Sequence, residues 1–142
     1  MSKQKRHLLS LETSVDFELI GICSHHSDYR LVWGINQELR LQLAKCDDLF
    51  AITNKKGQVV SEHSYYFWFD EENLVEFYLI RNKSEGKFLI PERNQIDYFL
   101  FVRENTILDL DDMLEQIKKI NSVMAAYLFE PETLPSTEQI VF

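Results

Sequence analysis

Three small sets of side chains have the types needed for a reaction or a metal. Cys23, His25 and His26 are clustered in sequence and supply thiol and imidazole groups. A zinc site takes about four such ligands, as a rule in two spaced pairs. Cys46 and His63 stand alone, so no second pair completes a set. The bland reading, loop histidines beside a core thiol, is preferred; no metal and no cofactor is expected. Cys23 with either histidine also lacks the surroundings that mark an activated nucleophile. The remaining set is Glu92, Asp97 and His63, the choice for an acid–base enzyme. Glycoside hydrolysis needs two carboxyl groups at a defined separation around a sugar cleft, and nothing nearby builds one. Glu92 is therefore expected to brace a chain corner. Asp97 is expected to pair with Arg81, Lys87 or Arg103, or to cap a neighbouring turn. With four glycines in the chain there is no phosphate-cradling loop, and no G-x-S-x-G elbow occurs. No catalytic residue is assigned, and the expected answer to whether this is an enzyme is no.

The elements that position these residues centre on Phe88 to Arg103. Pro91 drives Ile90 into an extended conformation and cannot donate to a ladder, which marks a strand end, bulge or edge. From Ile96 the side chains alternate. Ile96, Tyr98, Leu100 and Val102 point one way; Asp97, Phe99, Phe101 and Arg103 point the other. Both faces are mostly apolar, as in a strand covered on both sides.

Ile90-Pro91-Glu92, three free positions and Ile96-Asp97-Tyr98 resemble the signature of the bacterial IPExxxVDY family, with Ile96 in place of the valine. The size of the chain and the motif's position fit that family over most of its length. The resemblance makes Pro91, Glu92, Asp97 and Tyr98 motif residues, structural or interacting. It implies no catalytic residues and no mechanism.

Around this stretch the sequence predicts an α+β fold. His7–Leu11 and Val15–Ile22 read as extended. Ser27 or Asp28 caps a helix over about Ser27–Leu39, whose Leu31, Val32, Ile35 and Leu39 form one apolar face. Trp33 lies off that face, at the core border or against a partner. Gly34 weakens the helix unless something packs closely on it. Alternation predicts strands over Leu39–Leu43 and Leu49–Thr53, a hairpin loop at Asn54–Gly57, and strands over Tyr65–Phe69 and Leu74–Arg81. Short polar connections predict consecutive antiparallel pairing, an antiparallel meander. Asp109 caps a longer C-terminal helix over about Leu110–Leu128, with Met113, Ile117, Ile120, Met124 and Tyr127 on its face. A meander closed by such a helix resembles helix-grip ligand-binding folds in element order.

Residues 1–142 are expected to form one domain with flexible ends at 1–6 and 130–142. The alternatives for Ile140-Val141-Phe142 are a frayed end or a strand added to a sheet edge. A 45% hydrophobic and 13% aromatic composition supports a packed core rather than disorder. A net charge of −8, with Lys3, Lys5 and Arg6 as its basic cluster, opposes nucleic-acid binding. No run approaches the roughly 18 apolar residues of a membrane span, and the N-terminal apolar run is too short for a secretion signal. Two thiols suit a reducing compartment, so the expected location is the cytoplasm.

Tyr65, Tyr66, Trp68, Tyr78 and Phe101 are candidates for a ligand cavity or an interface, weighed against an ordinary core. Two helices cannot cover both faces of so apolar a sheet. Either the sheet curls, or a second copy covers it. The leading expectation is therefore a non-catalytic protein acting through protein–protein contacts, as a homodimer or accessory subunit. The alternative is a module holding a small apolar ligand between a curled sheet and the C-terminal helix. The acid–base enzyme stands third.

Overall fold

The computed structural model describes residues 16–142. Its frame is a six-stranded sheet in which every neighbouring pair is antiparallel. In chain order the strands are β1 (Phe17–Cys23), β2 (Ala44–Lys45), β3 (Phe50–Thr53), β4 (Val59–His63), β5 (Tyr65–Asp70) and β6 (Val75–Arg81), then β7 (Lys83–Ser84), β8 (Lys87–Phe88), β9 (Tyr98–Arg103) and β10 (Ala125–Phe129). The helices are α1 (Asp28–Leu39) and α2 (Leu110–Lys118). Across the sheet the order is β10-β1-β9-β6-β5-β2, with β3–β4 and β7–β8 as separate hairpins.

Strand alternation divides the core into two layers. Tyr98, Leu100 and Val102 of β9 join Ile20, Ile22, Phe77 and Leu79 under the helices. There α1 buries Leu31, Val32 and Ile35, and α2 buries Leu110, Met113 and Ile117. Phe99 and Phe101 point to the opposite layer with Phe17, Leu19 and Ile80. Among the described residues no α-helix covers that layer. It is closed by Phe50 and Ile52 of the β3–β4 hairpin, by Leu89, Ile90 and Ile96, and by Leu134 and Ile140 near the C-terminus. The sheet's second face is thus buried by the chain itself.

The expected order of helix, meander and longer closing helix is overturned. The stretch read as extended over Val15–Ile22 becomes β1, which precedes α1 and joins the same sheet between β9 and the edge strand β10. The second helix ends at Lys118, half the expected length, and 125–129 is a strand. Apolar residues continue at three- and four-residue spacing through Tyr127, which imitates a helix face. Tertiary pairing wins instead. β1 needs a neighbour, and Leu19 to Cys23 find theirs in Phe129 to Ala125. The reversal before it is held by the Ser24 hydroxyl, which donates to the Ser122 carbonyl at 2.6 Å. With this shortening the likeness in element order to helix-grip folds disappears. The meander is interrupted as well, since β9 inserts between β1 and β6.

Smaller differences have local causes. The strand expected over Leu39–Leu43 is a connection, because α1 stops at a left-handed Arg40 (φ 60°). The Asn36 side chain then accepts from Leu43 N–H and donates to the Leu43 carbonyl, so Leu41 and Leu43 turn inward without a ladder. Ile96 precedes β9 and lies in the layer of Phe99, opposite to the side its alternation predicts. The end expected to be flexible, 130–142, runs over the second layer with two 3-10 turns, Pro131–Thr133 and Pro135–Gln139, and buries Leu134, Thr137 and Ile140. It neither frays nor adds a strand there; Phe142 sits among Phe17, Phe50, Tyr78 and Phe101. Lys3, Lys5, Arg6 and the strand expected over His7–Leu11 lie outside the described residues. Among the described residues no helix is long and apolar enough to cross a membrane.

Candidate functional site

The motif builds a braced corner between β8 and β9. Pro91 opens a 3-10 turn, Pro91–Arg93, where its missing N–H costs nothing. At its centre is Asn82, fully buried at the end of β6. Its amide donates to the carbonyls of Arg93 (3.0 Å) and Ile96 (2.8 Å), and its oxygen accepts from Ile90 N–H (2.9 Å). One side chain thereby replaces the strand pairing that Pro91 interrupts.

Glu92 reaches away from this centre to the C-terminal segment. Its two oxygens accept from Ser136 N–H and Ser136 O–H, both at 2.7 Å. Partial burial pushes the carboxyl pKa up, but the two Ser136 bonds and nearby Arg93 outweigh it and leave it below the usual range. A carboxyl held ionised is a poor general acid. Asp97 accepts from Ser24 N–H at 2.9 Å, bracing the turn between β1 and α1. The cations expected beside it are otherwise engaged in two cases. Arg103 pairs with Glu76 and Asp16, and Lys87 donates to the Val60 carbonyl. Tyr98 is buried in the helix-side layer.

The acid–base set is not assembled. His63 is fully buried on β4, opposite Phe50, with Nε2 2.9 Å from the Ser61 hydroxyl. Burial lowers its pKa, opposed in part by the backbone of Arg81, so the ring is neutral near pH 7. Glu92, Asp97 and His63 thus serve three different contacts. Cys23 lies 3.6 Å from the Gln95 carbonyl. Burial and then the charge of Asp97 raise the thiol pKa, which keeps it protonated. His25 and His26 are exposed, and among the described residues no three His, Cys, Asp or Glu side chains converge as a metal site would need.

The five candidate aromatics fall on two sides of the sheet. Tyr66 and Trp68 face the helices, where Trp68 stacks on Phe77 and Tyr66 donates to Asp28 at 3.1 Å. Burial and then Asp28 push the Tyr66 pKa up to about 12. The Asp28 carboxyl is lowered against its own burial by Tyr66, the Tyr29 N–H and Lys45. Tyr65, Tyr78 and Phe101 are in the other layer, where Tyr78 meets Phe142 at 4.5 Å between ring centres. They do not line one cavity. An open groove of about 680 Å³ does reach Trp68, Phe77 and Met113, rimmed by Asp70, Glu71 and Asp112. Asp70 in that rim is occupied by its own turn, accepting from Glu72 and Asn73.

The exposed side of α1 presents a different chemistry. Tyr29 is 72% and Trp33 66% exposed, one helical turn apart, with Arg30 exposed beside them. The helical spacing that buries Leu31, Val32 and Ile35 leaves this trio outside. Trp33 was legible as lying off the core line; Tyr29 and Arg30 were not singled out by any spacing rule. No family model, curated protein or solved structure matches the chain.

Proposed function

We propose that this protein is a non-catalytic module that works through protein–protein contacts, with Tyr29, Arg30 and Trp33 on α1 as its contact face. The observation that carries this reading is the exposure of those three side chains together. Tyr, Trp and Arg are the residue types that dominate binding energy at protein interfaces. Tyr29 and Trp33, one turn apart on the exposed side of α1, form a contiguous apolar patch of the kind that marks interaction sites. The separate engagement of Glu92, Asp97 and His63 favours this reading over an acid–base enzyme. The likeness of the braced corner to the IPExxxVDY signature is part of the proposal, with Pro91, Glu92, Asp97 and Tyr98 as its structural residues. So is a cytoplasmic setting, which suits the two free thiols, Cys23 and Cys46.

The alternative, a small-ligand module, draws support from the groove at Trp68. That groove is open and acid-rimmed, which suits an apolar ligand less well than an enclosed cavity would. The direct test places a photo-crosslinking side chain at exposed Gln37 on α1. The captured protein is then bound to purified wild type and to Tyr29→Ala and Trp33→Ala. Each substitution should weaken binding by about tenfold or more while leaving unfolding unchanged, as expected of interface anchors. Equal affinity in all three would remove this face from the account.

A further inference from the structure

The two edges of the sheet are built differently. β2 ends one side with two residues, Ala44 and the charged Lys45. Short, charged edges are the usual protection against unwanted pairing. β10 ends the other side with five residues, Ala125-Ala126-Tyr127-Leu128-Phe129, carrying no charge, proline or glycine. Tyr127 is 49% and Leu128 39% exposed, and Met124 just before them is 62% exposed. Among the described residues no strand pairs with the outer edge of β10. An apolar edge of this length that no described strand covers is a template for another strand.

We propose that β10 is a self-association surface, on which the β10 of a second copy adds antiparallel across a two-fold axis at Tyr127. A strand paired antiparallel with itself is two-fold by construction, so one patch serves both molecules. Centred on Tyr127, the register sets Tyr127 against Tyr127, Ala126 against Leu128 and Ala125 against Phe129. Small residues face large ones and no charge enters the seam.

Charge complementarity beside the seam favours a copy of this chain over an unrelated partner. α2 packs against β10 and begins with Asp111 and Asp112, then ends at Lys118 and Lys119. The two-fold axis runs the two α2 helices in opposite directions, acidic end toward basic end. That arrangement sets unlike charges beside the seam, although each chain carries a net charge of −8. This deepens the contact reading and rests on it for the role of the dimer, but its surface is separate from Tyr29 and Trp33.

The test measures the mass in solution of the full-length chain at tens of micromolar, for wild type, Tyr127→Lys and Tyr127→Glu. Tyr127 is half exposed, and thermal melting confirms that each variant is folded. Wild type should have twice the 16.9 kDa chain mass. Each variant should be monomeric, because like charges meet at the axis. Mixed in equal amounts, the two should form a heterodimer. A monomeric wild type, charged variants that still dimerise, or a mixture that stays monomeric would each overturn the proposal. A monomeric wild type would leave the binding difference at Trp33 to be read independently.

Discussion

The side chains with the most chemical promise are spent on architecture. Glu92 and Asp97 each accept backbone N–H groups, from Ser136 and Ser24, and so tie distant segments to the corner. Charged acceptors make stronger bonds than neutral ones, and losing such a bond costs about 1.5–3 kcal/mol. Glu92→Gln should therefore lower unfolding free energy by about that amount in urea titration. Its pH dependence has a definite sign. The folded pKa lies below the unfolded value, so the contribution is complete above that value and fades as pH falls through it toward the folded one. Acidification from about pH 5 to pH 3 should cost wild type more than the Gln variant. Asn82 predicts a larger effect. Asn82→Asp keeps the shape but loses both amide donors, stranding the Arg93 and Ile96 carbonyls next to a buried carboxyl. Unfolding in urea should show a loss of about 3 kcal/mol or more, since each unsatisfied buried group costs about 1–3. Asn82 was not legible as a key residue, because a turn asparagine looks the same in sequence whether exposed or buried.

Among the elements, α1 shows what periodicity reads well and α2 what it reads badly. Ser27, Asp28 and the spacing of Leu31, Val32 and Ile35 locate the first helix almost to the residue. The same rule extends the second helix ten residues too far. A strand whose partner is a hundred positions away leaves no local mark that distinguishes Ala125–Phe129 from another helical turn. The strand periods of β5, β6 and β9 were plain, but the candidate aromatics Tyr65, Tyr66, Trp68, Tyr78 and Phe101 were grouped as one set although the strands divide them between two layers. Gly34 illustrates packing overriding propensity. A methyl group there would come within 2.7 Å of the Ile120 side chain. Alanine gains about 1 kcal/mol of helix propensity, while overpacking a core costs about 1–3 kcal/mol. Gly34→Ala should accordingly destabilise the protein by about 1 kcal/mol in urea unfolding, against the propensity scale. An increase in stability would mean that the α1–Ile120 contact is looser than described.

The whole molecule answers a question that composition raised but could not resolve. Two helices are too few for a sheet apolar on both faces, which made a covering second copy attractive. The second face is instead closed by the β3–β4 hairpin, the braced corner and residues 131–142. The β3–β4 hairpin was legible as a hairpin, but its place on the sheet, like that of the corner and the C-terminal segment, rests on non-local contacts that sequence patterning had no means to place. Among the features outside the core are a helix face with Tyr29, Arg30 and Trp33, and a β10 edge with which no described strand pairs. The central claim, that the molecule acts by holding another protein at α1, is tested most directly by native mass spectrometry. The protein would be purified gently from its own cells as wild type and as the Tyr29→Ala, Trp33→Ala double variant. The account predicts a complex heavier than whole multiples of the 16.9 kDa chain by the mass of another protein, and loss of that added mass in the variant. An added mass of ligand size, or a complex unchanged by removing both aromatics, would contradict it.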